Sequence, residues 1–563
     1  MDMENQSWKK RIQILVMLAL IVTVILGYRL FQKQIVEYGS YLALAENQYI
    51  VKKDLPAVRG QIYFSDMFPA ATNTRLYQVV AVPRQIKDKS ETAEKLALIL
   101  GLGKKEIFDS INNDKYYALL KHRLSEEDGQ KVADLKIKGV TVIPESIRFY
   151  PEGQLASQVL GFVDAGNDGR YGIEGYYNDE LKGIGGEVFG EKDTKGRLFD
   201  VDTRLEPRDG SDFILTLNHD IQYKAEEIIA WAVKNYEADS GTIIISEPQT
   251  GKILSMANVP TYDPNNFNKV PQDQQEIFNN NAITAAWEPG SVFKPLIMAA
   301  ALNEGKVEPD TEGVFSNLVV VNGYEIHTST DKAYGQETMT QVLENSDNVA
   351  MVWVSEQLGK DLMDKYVRDY GFGRKTGIEL DTENPGKVED VRYWSEMLRA
   401  TSAFGQGLTV TPLQLINAIG SIANGGKLMQ AYVVDKVIDY SGKEEPRQPK
   451  EIGRILKEDT AKKVTEMMVS VVENGHGKKA AVPGYKIAGK TGTAQVAKPG
   501  GGYYDDRHIG SFVGFAPAND PKFVILVRLD NPKNVSWAEE SAAPTFGKMA
   551  EWLLKYLGIP PEK

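Results

Sequence analysis

Hydrophobic positions along this chain are first continuous, then mixed, then arranged in strand and helix periods. Ile12–Leu26 is apolar apart from Gln13 and Thr23, and the run continues through Tyr28, Leu30 and Phe31. About 20 such residues cross a bilayer core. Lys9, Lys10 and Arg11 precede the run, which favours a cytoplasmic N-terminus. A cleaved signal peptide is the rival, but its nearest small-x-small site, Ala43-Leu44-Ala45, lies too far beyond the apolar run. The pattern predicts a cytoplasmic tail over 1–11 and a single-pass transmembrane anchor over 12–31. The bulk of the chain is then extracytoplasmic, held at the cell (inner, cytoplasmic) membrane. Ile35, Tyr38, Leu42 and Ala45 recur at helical spacing and predict a juxtamembrane helix.

From Val51 to about Arg204 short strand-like and helical stretches alternate, including a charged helix over Ser90–Leu102. No nucleophile there has a convincing setting, so 32–204 is expected to be a non-catalytic binding or spacing domain. The polar stretch Asp202–Gly210, with Pro207 and an Asp-Gly turn, marks the boundary. Residues 205–563 then form one α/β domain. Gly241–Ser246 and Lys252–Ala257 predict a hairpin around the turn Pro248–Gly251. Lys486–Gln495, Ile509–Ala516 and Phe523–Leu529 predict three more strands, followed by a helix from about Thr545 to Leu557. The expected architecture is an antiparallel sheet built from both ends of the domain, with helices between and on its faces.

Composition narrows the chemistry. The chain has 563 residues, is 42% hydrophobic, and suffices for two or three domains. A net charge of −12 with no basic face argues against nucleic acid as a partner. Zero cysteines exclude disulfides, thiolate metal sites and a Cys nucleophile. The five histidines are scattered and none pairs at helical spacing, so neither a metal nor a cofactor is expected.

Three patterns follow one another in order: Ser291-Val-Phe-Lys294, Ser346-Asp347-Asn348 and Lys490-Thr491-Gly492. Together they are a signature of serine β-lactamases and penicillin-binding proteins. Each alone is weak, since Ser-x-x-Lys recurs at Ser7–Lys10 and Ser329–Lys332, and Lys-Thr-Gly at Lys375–Gly377. Ser291 opens an apolar helix running to about Leu302, which puts Lys294 one turn below it. A hydroxyl needs a base to become a nucleophile. Lys294 can act only if burial and a second cation, Lys490, lower its pKa. Ser346 can pass a proton between Lys294 and a leaving amine, while Asn348 fixes a substrate amide and the lysine. On the following strand, Lys490 and the Thr493 hydroxyl can hold a carboxylate, and the strand backbone can pair with a peptide. Gly492 is expected to let the ligand approach. Ser7 faces the cytoplasm, Ser329 lies in a polar stretch and Lys375 in a glycine-rich turn, so all three duplicates are set aside.

On these motifs the chain resembles the class B penicillin-binding proteins, the monofunctional peptidoglycan D,D-transpeptidases. The likeness also covers Arg59-Gly60, Tyr171-Gly-Ile-Glu174, Glu288-Pro-Gly-Ser291, Gly405-Gln-Gly407, Ala488–Gln495 and Ser511–Pro517. Glu288–Ser291 and Ser511–Pro517 are more like the division (septal) branch. A departure stands at Arg59–Asp66, where the family commonly has Asp-Arg-Asn-Gly after the Ile. The resemblance implies a penicillin-binding/β-lactamase-like transpeptidase domain behind an anchor and an elongated α+β pedestal, with no accessory domain after it. It implies that Ser291 attacks the carbonyl between the terminal D-alanines of a stem peptide, and that the backbone N–H groups of Ser291 and Thr493 form the oxyanion hole. Thr491, Gly492 and Thr493 would bind substrate. β-Lactams would trap Ser291 as an ester, and a SEDS-type glycan polymerase and division proteins would be partners. A β-lactamase, a β-lactam sensor and a catalytically silent wall scaffold are the alternatives.

Overall fold

The computed structural model describes residues 2–41, 50–192, 198–498 and 500–562, which form two compact units. The first unit comprises residues 1–57 and 183–209. It begins with the helix Asp2–Phe31, which continues as a π-helical turn over Gln32–Val36. Trp8–Val36 is, among the described residues, the one helix long and apolar enough to cross a membrane, and none of its apolar window is buried. Much of the predicted juxtamembrane helix, with Ala43–Ala45, lies outside the described residues. The unit's sheet orders three antiparallel strands, Ile50–Leu55, Gly186–Lys192 and Leu198–Leu205.

The second unit comprises residues 58–182 and 210–563. A seven-stranded sheet runs through its early part, centred on Pro69–Ala81. Here Asp212–Leu215 lies parallel to Ile62–Tyr63 and antiparallel to Val434–Ile438. A buried ionic cluster ties the strands together. Glu174 is fully buried and accepts from Arg59 Nε at 2.7 Å and from Arg148 Nε at 2.5 Å. Arg148 also donates to the Gly60 carbonyl at 2.7 Å, and Tyr150 OH reaches Glu174 at 3.3 Å. The Arg59-Gly60 and Tyr171–Glu174 segments singled out in the sequence meet in this cluster.

The later part is organised by a five-stranded antiparallel sheet. Its strands are β1 (Ser240–Ser246), β2 (Ile253–Val259), β3 (Ala488–Ala497), β4 (Tyr503–Ala516) and β5 (Phe523–Asp530). Their spatial order is β2-β1-β5-β4-β3, which leaves β3 on an edge. Strand alternation explains the layers on both faces. Ile244, Val513, Phe515, Val524 and Leu526 join the core that contains the middle helices. Ile243, Ile245, Phe512, Ile525 and Val527 face the other core, with His219–Asn235 and Ala542–Tyr556. The predicted antiparallel sheet drawn from both ends of the domain is therefore present. Strand β4 begins earlier than expected, because Tyr503–His508 extends the hairpin beyond the core.

Three helices carry the site: α1 (Lys294–Asn303), α2 (Met339–Glu344) and α3 (Asn348–Leu358). Helix α1 is buried from Lys294 through Leu302, a span with no polar residue except Lys294. A helix apolar on every side belongs in the centre of a large domain.

Candidate active site

The nucleophile candidate sits on a turn set by its neighbours. Gly290–Phe293 is a 3₁₀ turn that feeds α1, with Pro295 inside the first α turn. The sequence predicts one continuous helix start; a 3₁₀ turn instead eclipses residues i and i+3, stacking Ser291 over Lys294. Gly290 takes φ +60° and donates its N–H to the Gly405 carbonyl at 3.0 Å. Glu288 braces the same turn, accepting from Gly407 N at 2.9 Å and from Tyr503 OH at 2.8 Å. The Glu288–Ser291 and Gly405–Gly407 segments are thus two halves of one support.

Gly405 itself has φ +80°, and a Cβ there would overlap the Gly290 carbonyl. Gly405→Ala is expected to slow acylation of Ser291 by about five- to 150-fold, the equivalent of about 1–3 kcal/mol of backbone strain. Stopped-flow acylation by a fluorescent penicillin measures it. A rate within about twofold of the parent, at an unchanged melting temperature, would remove Gly405 from this role.

Lys294 and Lys490 are both fully buried. Lys294 Nζ donates to the Ser346 carbonyl at 2.6 Å, to Asn348 Oδ1 at 2.8 Å and to Ser346 Oγ at 3.2 Å. Lys490 Nζ donates to the same Ser346 Oγ at 3.0 Å and to the Thr491 carbonyl at 3.2 Å. One hydroxyl therefore bridges two lysines. Burial, and after it the charge of Lys490, holds Lys294 well below the ordinary lysine pKa, against the opposing pull of Asp347 and Glu337. Burial likewise lowers Lys490 to about 7, partly offset by Glu539. No carboxylate binds either ammonium directly among the described residues, which is why desolvation dominates.

Ser346 adopts φ +55°, a left-handed conformation rare for a side chain-bearing residue. It turns the hydroxyl and the carbonyl of one residue toward the same amine. Asp347 caps α3, accepting from Ala350 N at 3.0 Å. Asn348 is the first residue of that helix and not a loop position, and its Nδ2 donates to the His327 carbonyl at 3.0 Å.

Strand β3 lies against the nucleophile turn. Gly492 serves this contact: a Cβ there would sit 2.9 Å from Val292 Cγ1 and 2.9 Å from Ser511 Oγ. Thr493 Oγ1 accepts from Ala538 N at 3.0 Å, leaving its own proton free to donate. Thr491 Oγ1 stands 3.5 Å from Lys490 Nζ.

A cavity of about 160 Å³ is lined by Ser291, Ser346, Thr491 and Thr493, so residues from all three motifs converge on one space. It adjoins a cleft of about 1060 Å³ that also contains Ser291 and Asn348. Lys375, the duplicate of Lys490, lines a separate groove with Arg374 and Lys450. Ser329 and Thr330 border the small cavity, although the Ser-x-x-Lys that begins at Ser329 is only a duplicate of the nucleophile motif. His476, Trp537 and Glu539 border it too, and His476 Nδ1 lies 2.8 Å from Glu539. Those three carry no local signal: they follow α-helical and strand segments far from the motifs, and only the fold brings them in.

Residues 241–551 match the family described as the penicillin-binding protein transpeptidase domain, and residues 54–215 match the penicillin-binding protein dimerisation domain. The chain is 34% identical to Stage V sporulation protein D of Bacillus subtilis, over all of this chain and 88% of the relative. It is 29% identical to the peptidoglycan D,D-transpeptidase FtsI of Buchnera aphidicola, covering 99% and 97% of the two chains. The crystal structure of penicillin-binding protein 3 from Mycobacterium tuberculosis with aztreonam superposes with a TM-score of 0.72 at 27% identity, covering 90% of this chain and 99% of that one. The chain belongs to the penicillin-binding protein family and carries its transpeptidase domain behind its dimerisation domain.

Proposed function

We infer that this penicillin-binding protein is a membrane-anchored peptidoglycan D,D-transpeptidase that works through an acyl-enzyme on Ser291. The observation that carries the reading is the Ser346 hydroxyl, within hydrogen-bond reach of both Lys294 and Lys490 beside a cavity that Ser291 lines. In its neutral form Lys294 has two N–H donors, which the Ser346 carbonyl and Asn348 Oδ1 hold, and a lone pair left to take the Ser291 proton. Ser291 Oγ attacks the carbonyl between two terminal D-alanines. The N–H groups of Ser291 and Thr493 receive the oxyanion; one such donor is typically worth about 10²–10³ in rate. As the C–N bond breaks, the proton passes from Lys294 through Ser346 to the departing D-alanine amine. An amine of a neighbouring stem then attacks the ester, forming the crosslink and returning the proton to Ser291. Lys490, with Thr491 and Thr493, holds the donor carboxylate, and edge strand β3 offers free backbone to a peptide strand.

The chain is divided as 1–11 cytoplasmic tail, 12–31 anchor, 32–204 pedestal and 205–563 transpeptidase domain, with the N-terminus in the cytoplasm. Its place in septal wall synthesis is supported by the Glu288–Ser291 and Ser511–Pro517 segments and by the similarity to FtsI and Stage V sporulation protein D. The anchor and pedestal carry contacts to a SEDS-type polymerase and to division proteins.

Intact-mass detection of a penicillin on the purified protein tests this reading. A lasting adduct is the expected result. Rapid loss of the adduct would make the protein a β-lactamase, and no adduct on folded protein would make it a scaffold.

A further inference from the structure

Two buried carboxyl groups lie behind the lysine pair, and the mechanism above does not use them. Glu337 belongs to the strand Gly335–Thr338 that leads into α2, and Asp347 caps α3. Their relative exposures are 2% and 0%. Each has one satisfied oxygen: Glu337 Oε1 accepts from Asn345 Nδ2 at 2.7 Å, and Asp347 Oδ1 accepts from Ala350 N. The other oxygens, Glu337 Oε2 and Asp347 Oδ2, are buried and find no partner. Yet the two side chains lie within hydrogen-bonding reach of each other. Two buried carboxyl groups this close, each with an oxygen that finds no partner, would be strongly unfavourable if both were ionised. One proton held between the two groups relieves that cost.

We propose that Glu337 and Asp347 share a single proton and act as positioning residues for Lys294, setting the charge against which this lysine gives up its own proton. The proposal rests on the reading of Lys294 as the base. Both carboxyl groups act on Lys294, as does the opposing cation Lys490. The remaining charge acting on Glu337 is Glu344 of α2, whose side chain is bonded to Ser470 of the helix Glu458–Glu473. On the far side, Lys490 feels Glu539. Burial, and then the hydrogen bond and charge of Asp347, raise Glu337 to about 7, against the Asn345 bond. Below that pH the pair carries one negative charge and above it two. The second charge opposes loss of the Lys294 proton, so the rise of acylation with pH is stretched toward alkaline values.

The test is the pH profile of the second-order acylation rate with a fluorescent penicillin, for the parent, Glu337→Gln and Asp347→Asn. The amide introduced by Glu337→Gln would keep the acceptor for Asn345 and donate to Asp347, as the shared proton does. The amide introduced by Asp347→Asn would keep the cap on Ala350 N and donate to Glu337. Either substitution holds the pair at one negative charge throughout. Both variants should therefore move the alkaline-rising limb toward acid by about one to two pH units. At a pH on the limb this is about ten- to hundredfold faster acylation, as expected for one charge removed about 6–12 Å away at an effective dielectric of about 20. The limb of the parent should be broader than a single titration, because the two proton losses oppose each other.

Unmoved limbs, uniform slowing at every pH or a shift toward alkali would overturn the proposal. So would a parent limb that follows one simple titration, a result that stands even if a variant fails to fold. Lys294→Gln separates the two readings. If it acylates normally, the base assignment fails. If it is slow while the carboxyl variants leave the limb in place, only the carboxyl pair fails.

Discussion

Ser291→Ala should abolish the penicillin adduct, and Lys294→Gln should slow its formation by about 10²–10⁴, the range that a positioned general base supplies. The geometry gives the two losses different causes. In the proposed reaction Ser291 carries the atom that forms the bond, so no other group replaces it. In the same reaction Lys294 removes the proton. The amide introduced by Lys294→Gln would fit the buried space and donate to the Ser346 carbonyl while having no basic lone pair. Glutamine thus tests the base and not the packing. The pH dependence carries the same signature. A buried lysine with a lowered pKa is neutral above that value and charged below it, so acylation by the parent falls as pH falls through the Lys294 pKa. Around pH 7 Lys490 gains its proton, and its charge adds to burial in holding down the proton affinity of Lys294. Acylation of Lys294→Gln within about threefold of the parent on the plateau above the Lys294 pKa would sink the assignment.

Glu174→Ala should destabilise the protein by an amount on the order of 3–5 kcal/mol, the usual result of stranding buried charges. Arg59 and Arg148 are each about as buried as Glu174, and the carboxylate is the partner of both. Arg148 Nη2 already lacks a partner, so the cluster has no spare acceptor. Glu174→Gln keeps one acceptor oxygen and should lose less. Chemical denaturation read by fluorescence gives the size of the loss. Acylation by penicillin well below the melting range should survive, since the cluster touches no group of the active site. A Glu174→Ala midpoint equal to that of the parent would show that the arginines, not the carboxylate, hold these strands.

Much of the architecture was legible in local pattern. Runs such as Gly241–Ser246 and Phe523–Leu529 are too apolar and too β-branched to be anything but buried strands, and their observed bounds differ by one residue. Ile12–Phe31 declares its length and its apolarity without help from the rest of the chain. The candidates for nucleophile, relay and carboxylate cation were legible as candidates because their motifs pair a reactive side chain with the turn, cap or strand that holds it. Lys490 could be preferred to Lys375 on the same ground, since only Lys490 has strand residues on both sides.

What the tertiary structure decided is which distant groups share one electrostatic environment. The sequence determined that a serine, two lysines and an amide were present in order, since each motif is a local matter of backbone and chemistry. It did not show that Gly492 makes room for Val292, that Ser346 takes a left-handed turn, or that Ser329, His476 and Glu539 border the cavity. Nor did it show that the buried Glu337 and Asp347 both act on Lys294. Those facts depend on strands and helices far apart in the chain packing around α1. Proton affinity in a buried site is set by every charge within a few ångströms, whatever its distance in sequence.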